Sequence, residues 1–388
     1  MSQPSDRTRL IAPATARGRG RRPVNPPIER ASTLLNDHAG RLSDPADGPV
    51  YGVEDLGAAR ALRDAIAALE GADQVLLAPS GLASVTLPIL TLTRPGDQVM
   101  TTDAVYGPTR RFLERHMKAQ GVSAVFHPAE ASAEAILAQM TDQTRLLLIE
   151  APASLTFETP DVPALVAACR ARGVTTVMDN TWAAGLAFKP LAHGVDVSVQ
   201  ALTKYAGGHS DLLMGSIASA RPEIDRRLSE TMEDLGVRVS PDDAWLALRG
   251  LRTLPLRYGE QARSALTVAE WLRARPEVSR ILYPALPGSV GHDLWRRDFT
   301  GAASLFGMVM AGGDEAAAEA LIDRLTLFGI GYSWGGFESL ITLETHQMRW
   351  RRSPPVLEGP ILRLHIGLED PADLIADLAH GLEAWRAA

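Results

Sequence analysis

Between Gln74 and Leu202 the chain alternates between two kinds of pattern, and this alternation limits the folds open to it. Short apolar, β-branched runs at 74–78, 98–102, 123–127, 144–150, 175–178 and 195–202 read as strands. The stretches between them at 82–92, 108–120, 131–140 and 163–172 read as helices. Strands that alternate with helices predict an α/β fold, a mostly parallel sheet covered on both faces. Upstream, Leu56, Ala59, Leu62, Ile66 and Leu69 recur at helical spacing until Gly71 ends the pattern. Downstream, 241–274 reads as one long helical region. Strands at 304–310, 339–345 and 361–367 and helices at 313–327 and 371–387 then predict a smaller α+β domain.

With 388 residues, 46% of them hydrophobic, the chain can build two cores. The expected organisation is a tail over 1–22, an arm over 23–54, a large domain over 55–250 and a small domain over 251–388. The tail carries Arg7, Arg9, Arg17, Arg19, Arg21 and Arg22 among small and polar residues, without an apolar core of signal-peptide type. It is expected to be disordered, because it has little to bury. Residues 23–50, rich in Pro, Asn and Asp, read as extended.

Composition narrows the function. A net charge of −7 disfavours nucleic acid as a partner, because neutralising phosphates requires a basic face. No apolar run reaches the ~18 residues of a membrane span. The single cysteine, Cys169, excludes a disulfide framework and suits a reducing cytoplasm; its helical apolar neighbours predict a buried, inert thiol. The nine histidines show no metal-binding spacing, so no metal is expected. No G-x-S-x-G elbow or strand-placed G-x-G-x-x-G occurs.

The chemistry concentrates in Thr175–Asp211. Asp179 and Asn180 leave the end of one predicted strand, and Thr203, Lys204 and Tyr205 leave the next. Ligands of open α/β sheets sit outside such carboxyl ends. Gly207 and Gly208 then allow backbone to pass close to a bound group. Two readings are open: a strand-end acid beside a surface lysine, or the pair that pyridoxal phosphate requires. In the second, an amine forms the Schiff base and a carboxylate keeps the pyridine nitrogen protonated. Pro79-Ser80-Gly81-Leu82, between a strand and a helix, has the form of an anion site. Arg363, inside the apolar strand Ile361–Gly367, needs a partner: an internal carboxylate or the carboxylate of a substrate.

The wording DNTWAAG, TKYAGGHSD, YSWGGFESL and LRLHIGLED resembles the Cys/Met-metabolism family of pyridoxal phosphate enzymes, from about Asn25 to the C-terminus. This resemblance implies the pyridoxal phosphate-dependent transferase fold of type I, aspartate aminotransferase-like. It implies Lys204 as the cofactor lysine, Asp179 on the pyridine nitrogen, and Tyr106 stacked on the ring rather than merely packed on the sheet. It places the cofactor phosphate on the Gly81 and Leu82 amides and the Thr203 hydroxyl, and Ser154 near the ring hydroxyl. Arg363 becomes the clamp on the substrate α-carboxylate. Tyr332, Ser333 and Trp334 become the wall of the substrate pocket, where Trp334 read alone would be core. His209 and Asp211 are expected to support the loop after Lys204.

By the same resemblance the arm crosses to a neighbouring subunit in a homotetramer built from dimers, where Tyr51 reaches that subunit's cofactor phosphate. Two departures stand out. Ala201 replaces a common serine. Val53, followed by Glu54 and Asp55, replaces a phosphate-binding arginine, a charge that Arg60, Arg110 or Arg41 is expected to supply in part. The implied activity is carbon–sulfur β-elimination in methionine biosynthesis, with L-cystathionine giving homocysteine, pyruvate and ammonia. A γ-acting member, a general cysteine desulfhydrase and a non-catalytic homologue remain as alternatives.

Overall fold

Seven strands form the larger sheet: β1 (Gln74–Ala78), β2 (Gln98–Thr102), β3 (Ser123–His127), β4 (Thr144–Glu150), β5 (Thr175–Asp179), β6 (Val197–Ala201) and β7 (Gly215–Ser219). The computed structural model describes residues 4–11, 21, 23–42, 44, 48–52 and 56–387. The strand order is β1-β7-β6-β5-β4-β2-β3, and every neighbouring pair is parallel except the two that β7 makes with β1 and β6. β7, read Gly-Ser-Ile-Ala-Ser, carries too few β-branched or aromatic residues to show as a strand in the sequence.

The period of two along β4 explains how the sheet buries both faces. Leu147 and Ile149 join one apolar cluster with Leu62, Ile66 and Leu69 of the helix Gly57–Glu70. Leu146 and Leu148 join a second with Val85, Leu87 and Ile89 of the helix Gly81–Leu92. Each such side chain contributes about 1.5–3 kcal/mol of transfer free energy. A strand apolar on both faces has no solvent side to turn outward, which is why these runs are continuous rather than alternating.

A second sheet holds β8 (Val278–Leu282), β9 (Leu305–Met310), β10 (Gly329–Ile330), β11 (Leu340–Leu343) and β12 (Ile361–His365), ordered β10-β11-β12-β9-β8. It is antiparallel except for β10 and β11. Phe306 and Met308 pack with Leu321 of the helix Glu315–Arg324 and with Leu378 and Leu382 of the helix Pro371–Ala387. The region read as one helix is two, Pro241–Leu251 and Leu254–Arg273. Pro255 stands in the first turn of the second, where its missing N–H costs nothing but the first helix cannot continue through it.

The tail departs from its expected disorder where it is described. Asp6–Arg9 is a helical turn, and Leu10, 3% exposed, joins the cluster beneath the helix Gly57–Glu70. Asp6 pairs with the Lys189 ammonium at 2.8 Å, which also donates to the Leu69 carbonyl at 2.6 Å. One buried leucine and one partly buried ion pair order this segment, a signal too small for composition to reveal. The arm is largely exposed; Thr33 bridges Tyr51, and Arg30 pairs with Asp242. Cys169 is buried, and burial pushes its thiol up to about 12.

Candidate active site

A cavity of about 580 Å³ opens where β2, β4, β5 and β6 end, and the second sheet closes it through Ser333, Trp334 and Arg363. Its floor begins at the helix Gly81–Leu92. Ser80 caps that helix by accepting the Ala83 N–H at 3.1 Å. Among the described residues nothing accepts from the amides of Gly81 and Leu82. Gly81 is required by close approach: a Cβ there would lie 2.3 Å from the Cβ of Ala201. The same contact gives Ala201 its small size. Thr203 lines the cavity; its hydroxyl bonds the Met214 backbone, donating to the carbonyl at 3.2 Å and accepting the N–H at 3.1 Å.

Asp179 ends β5. Its Oδ1 accepts the Thr181 amide at 3.0 Å and the Thr181 hydroxyl at 2.5 Å, while that hydroxyl oxygen accepts the Ala201 N–H at 2.9 Å. Thr181 thus ties the Asp179 carboxylate to the end of β6. Burial raises the Asp179 carboxyl above its ordinary range against the opposing effects of Thr181 and Lys204. Its neighbour in the ladder is Glu150, at the end of β4. Burial first, then the charge of Asp179, pushes the Glu150 carboxyl up to about 8. Glu150 accepts the Tyr106 N–H at 2.8 Å and the Ser154 hydroxyl, so one carboxyl group anchors both residues.

The chain has three lysines. Lys118 is exposed and Lys189 is paired with Asp6; Lys204 alone lines the cavity. Its ammonium nitrogen donates to Ser333 Oγ at 2.6 Å and lies 5.2 Å from the centre of the Trp334 ring. Burial first and the Arg363 charge second, against the opposing charge of Asp179, bring the amine down to about 8. Arg363 has an internal carboxylate beside it and also faces the cavity: its Nη1 lies 3.5 Å from Oε1 of Glu344, which is fully buried. Tyr106 and the exposed Tyr332 flank the mouth.

Other expected residues fall elsewhere. Tyr51 lines a separate cavity of about 700 Å³ with Arg60, so within one chain neither faces the site. Arg41 is exposed beside Asp44. Arg110 does line the site, but it is buried against Asp103 and over the Phe126 ring at 4.1 Å. Val53, Glu54 and Asp55 lie outside the described residues. His209, whose Nδ1 donates to the Gly207 carbonyl at 2.7 Å, and Asp211 do not line the cavity. Glu150, Thr181 and Glu344 were not foreseen. Glu150 had a signal: it ends an apolar strand just as Asp179 does.

Unpaired helix amides stand on one side, two crowded carboxyl groups without a close ion pair among the described residues on another, and a weakly basic lysine lines the same cavity. That donor set fits a group anionic at one end, cationic at the other and carrying a carbonyl for the amine: pyridoxal phosphate. Fold and site therefore define a pyridoxal phosphate-dependent enzyme. The sequence model of the family described as Cys/Met metabolism PLP-dependent enzyme matches residues 7–383, and the chain belongs to that family. It is 42% identical to cystathionine beta-lyase of Bordetella avium over 377 residues, which cover 94% of this chain and 93% of that one. It is 40% identical to cystathionine beta-lyase MetC of Escherichia coli strain K12 over 372 residues, covering 92% and 93%. The crystal structure of metB from Corynebacterium glutamicum superposes with a TM-score of 0.92 at 29% identity, covering 98% of each chain. No helix among the described residues is long and apolar enough to cross a membrane.

Proposed function

We propose that the chain is a carbon–sulfur β-lyase that converts L-cystathionine and water to homocysteine, pyruvate and ammonia. The observation that carries this reading is the identity above 40%, or at it, with two cystathionine beta-lyases over more than nine-tenths of the chain. The placement of Lys204 between Ser333 and Arg363 supports it. Pyridoxal phosphate, when bound, supplies the electron sink that stabilises negative charge at the substrate Cα. Lys204, Asp179, Tyr106, the Gly81 and Leu82 amides, Thr203 and Ser154 are the residues that would hold it.

The chain's own groups do the rest. Arg363 presents a planar fork to the substrate α-carboxylate, oriented from behind by Glu344. The Lys204 amine, kept weakly basic by burial and by Arg363, takes the Cα proton and returns a proton to the departing sulfur. Asp179 keeps a proton on the ring nitrogen, which matches its site: a carboxyl whose burial is relieved by a cation. Trp334 covers the amine and restricts the leaving-group side of the pocket. The arm, with Tyr51, reaches a neighbouring subunit in a homotetramer, and the protein works in the cytoplasm, which the single buried thiol suits. The test is to incubate the cofactor-loaded protein with L-cystathionine and identify the keto acid. Pyruvate supports the proposal; 2-oxobutyrate assigns a γ-acting enzyme; neither, from any sulfur amino acid, assigns a binding protein.

A further inference from the structure

Behind Lys204 lies a buried polar chain that the mechanism above does not use. His365 follows Arg363 by two on β12, so both side chains leave the same face of the sheet. Its Nε2 lies 3.0 Å from the Gly335 amide, and its Nδ1 lies 3.1 Å from Ser304 Oγ. Ser304 Oγ lies 3.0 Å from the Tyr205 hydroxyl, which also accepts the Ser304 N–H at 2.9 Å. All three side chains are essentially inaccessible to water.

The proton positions follow from the partners. The Gly335 amide can only donate, so Nε2 must accept and the ring proton sits on Nδ1, donated to Ser304. The Gly336 carbonyl, 3.3 Å from Nε2, is already served by Gln261 at 2.6 Å. Burial, with the nearby Arg363 and Lys204 charges, pushes His365 down to about 3, so it stays a neutral acceptor at working pH.

What His365 grips is the turn that touches the lysine. Ser333 and Gly335 both have positive φ, 86° and 84°. For serine that conformation is strained and persists only where the surroundings impose it. A Cβ on Gly335 would lie 2.6 Å from the Tyr205 nitrogen, so the turn rests directly on the backbone that carries Lys204.

We propose that His365 is a positioning residue for the reactive lysine: through Gly335 it holds Ser333 in its strained conformation, with Oγ on the Lys204 amine and Trp334 over it. Ser304 and Tyr205 hold the imidazole in the tautomer this requires. The charged groups that act on Lys204 are Asp179 from β5 and Arg363 from β12, and neither is changed in the variants below. The inference rests on Lys204 being the reactive lysine, not on which substrate is cleaved.

The test separates the two nitrogens. A glutamine amide reaches the Nε2 position and can accept from Gly335; an asparagine amide reaches the Nδ1 position and can serve only Ser304. Competitive acetylation of the cofactor-stripped full chain, read by mass spectrometry against pH, reports the Lys204 midpoint without turnover, so a failed lyase assay leaves this result independent. His365→Gln keeps the midpoint near the wild-type value of about 8. His365→Asn frees the turn, admits water and moves the midpoint toward the ordinary lysine value of 10.5. In the loaded enzyme His365→Asn lowers kcat about tenfold, the worth of one hydrogen bond, with KM little changed. Ser304→Ala, a smaller change, moves the midpoint in the same direction and serves if His365→Asn does not fold. A midpoint unmoved in His365→Asn and Ser304→Ala, or moved equally in His365→Asn and His365→Gln, overturns the proposal.

Discussion

Replacing Arg363 separates two roles that the structure assigns to one side chain. The guanidinium is 13% exposed, lines the cavity, and lies 3.5 Å from a carboxylate that is 0% exposed. Toward the substrate it offers a charge-assisted fork worth about 1.5–3 kcal/mol, so Arg363→Lys raises KM about ten- to a hundredfold. Toward the interior, an ammonium still serves Glu344, and stability changes little. Arg363→Ala removes both functions. It leaves Glu344 buried without a cation, and breaking a buried pair in this way costs about 3–5 kcal/mol. Glu344 keeps its bonds to Thr342 and Gln347, which places the cost at the lower end of that range. In the double variant Arg363→Ala, Glu344→Gln the buried charge is gone, so most of the stability returns while KM stays high. Steady-state kinetics and urea unfolding of the four proteins measure the two effects. Unchanged KM and kcat in Arg363→Lys would exclude carboxylate binding by Arg363; a double variant no more stable than Arg363→Ala would exclude Glu344 as its partner.

Three further outcomes follow from the same geometry. Asp179→Asn retains cofactor but loses at least about a hundredfold in kcat, because an amide cannot hold the ring-nitrogen proton; a near-normal kcat removes that role. Since the Lys204 amine must be neutral to capture an aldehyde, capture of pyridoxal phosphate by the stripped chain speeds up with pH and levels off above about 8. A lysine lowered in the folded state leaves the unfolded chain with more protons, so stability rises with pH from about 8 to 10.5; a capture rate that still climbs steeply across this range contradicts the burial of the amine. Leu10→Ala lowers the unfolding free energy by about 2 kcal/mol, the low end for a buried leucine, because the terminal turn can detach; no change in the urea midpoint would mean that the turn does not dock.

What could be read from the sequence was whatever each residue announces locally. The apolar runs of β2, β4, β5 and β6 are continuous because both their faces are buried, and a charged residue ending such a run, as in Asp179 and Lys204, stands out against it. Glu150 ends its apolar run in the same way. β7 was invisible because glycine, serine and alanine at Gly215–Ser219 fit between β1 and β6 for reasons set by the neighbours. The partners of Arg363 and His365 were invisible for a different reason. Glu344 and Ser304 meet them only through the pairing of β11, β12 and β9, and no local pattern carries that register.

The account turns on one amine, and three lysines make it directly testable. The cofactor-loaded protein is reduced with borohydride, denatured, digested and analysed by mass spectrometry for the pyridoxyl label. The account predicts the label on the peptide containing Lys204, and no stable label in Lys204→Ala. Label on Lys118 or Lys189 in the wild-type protein, or label that survives undiminished in Lys204→Ala, contradicts it.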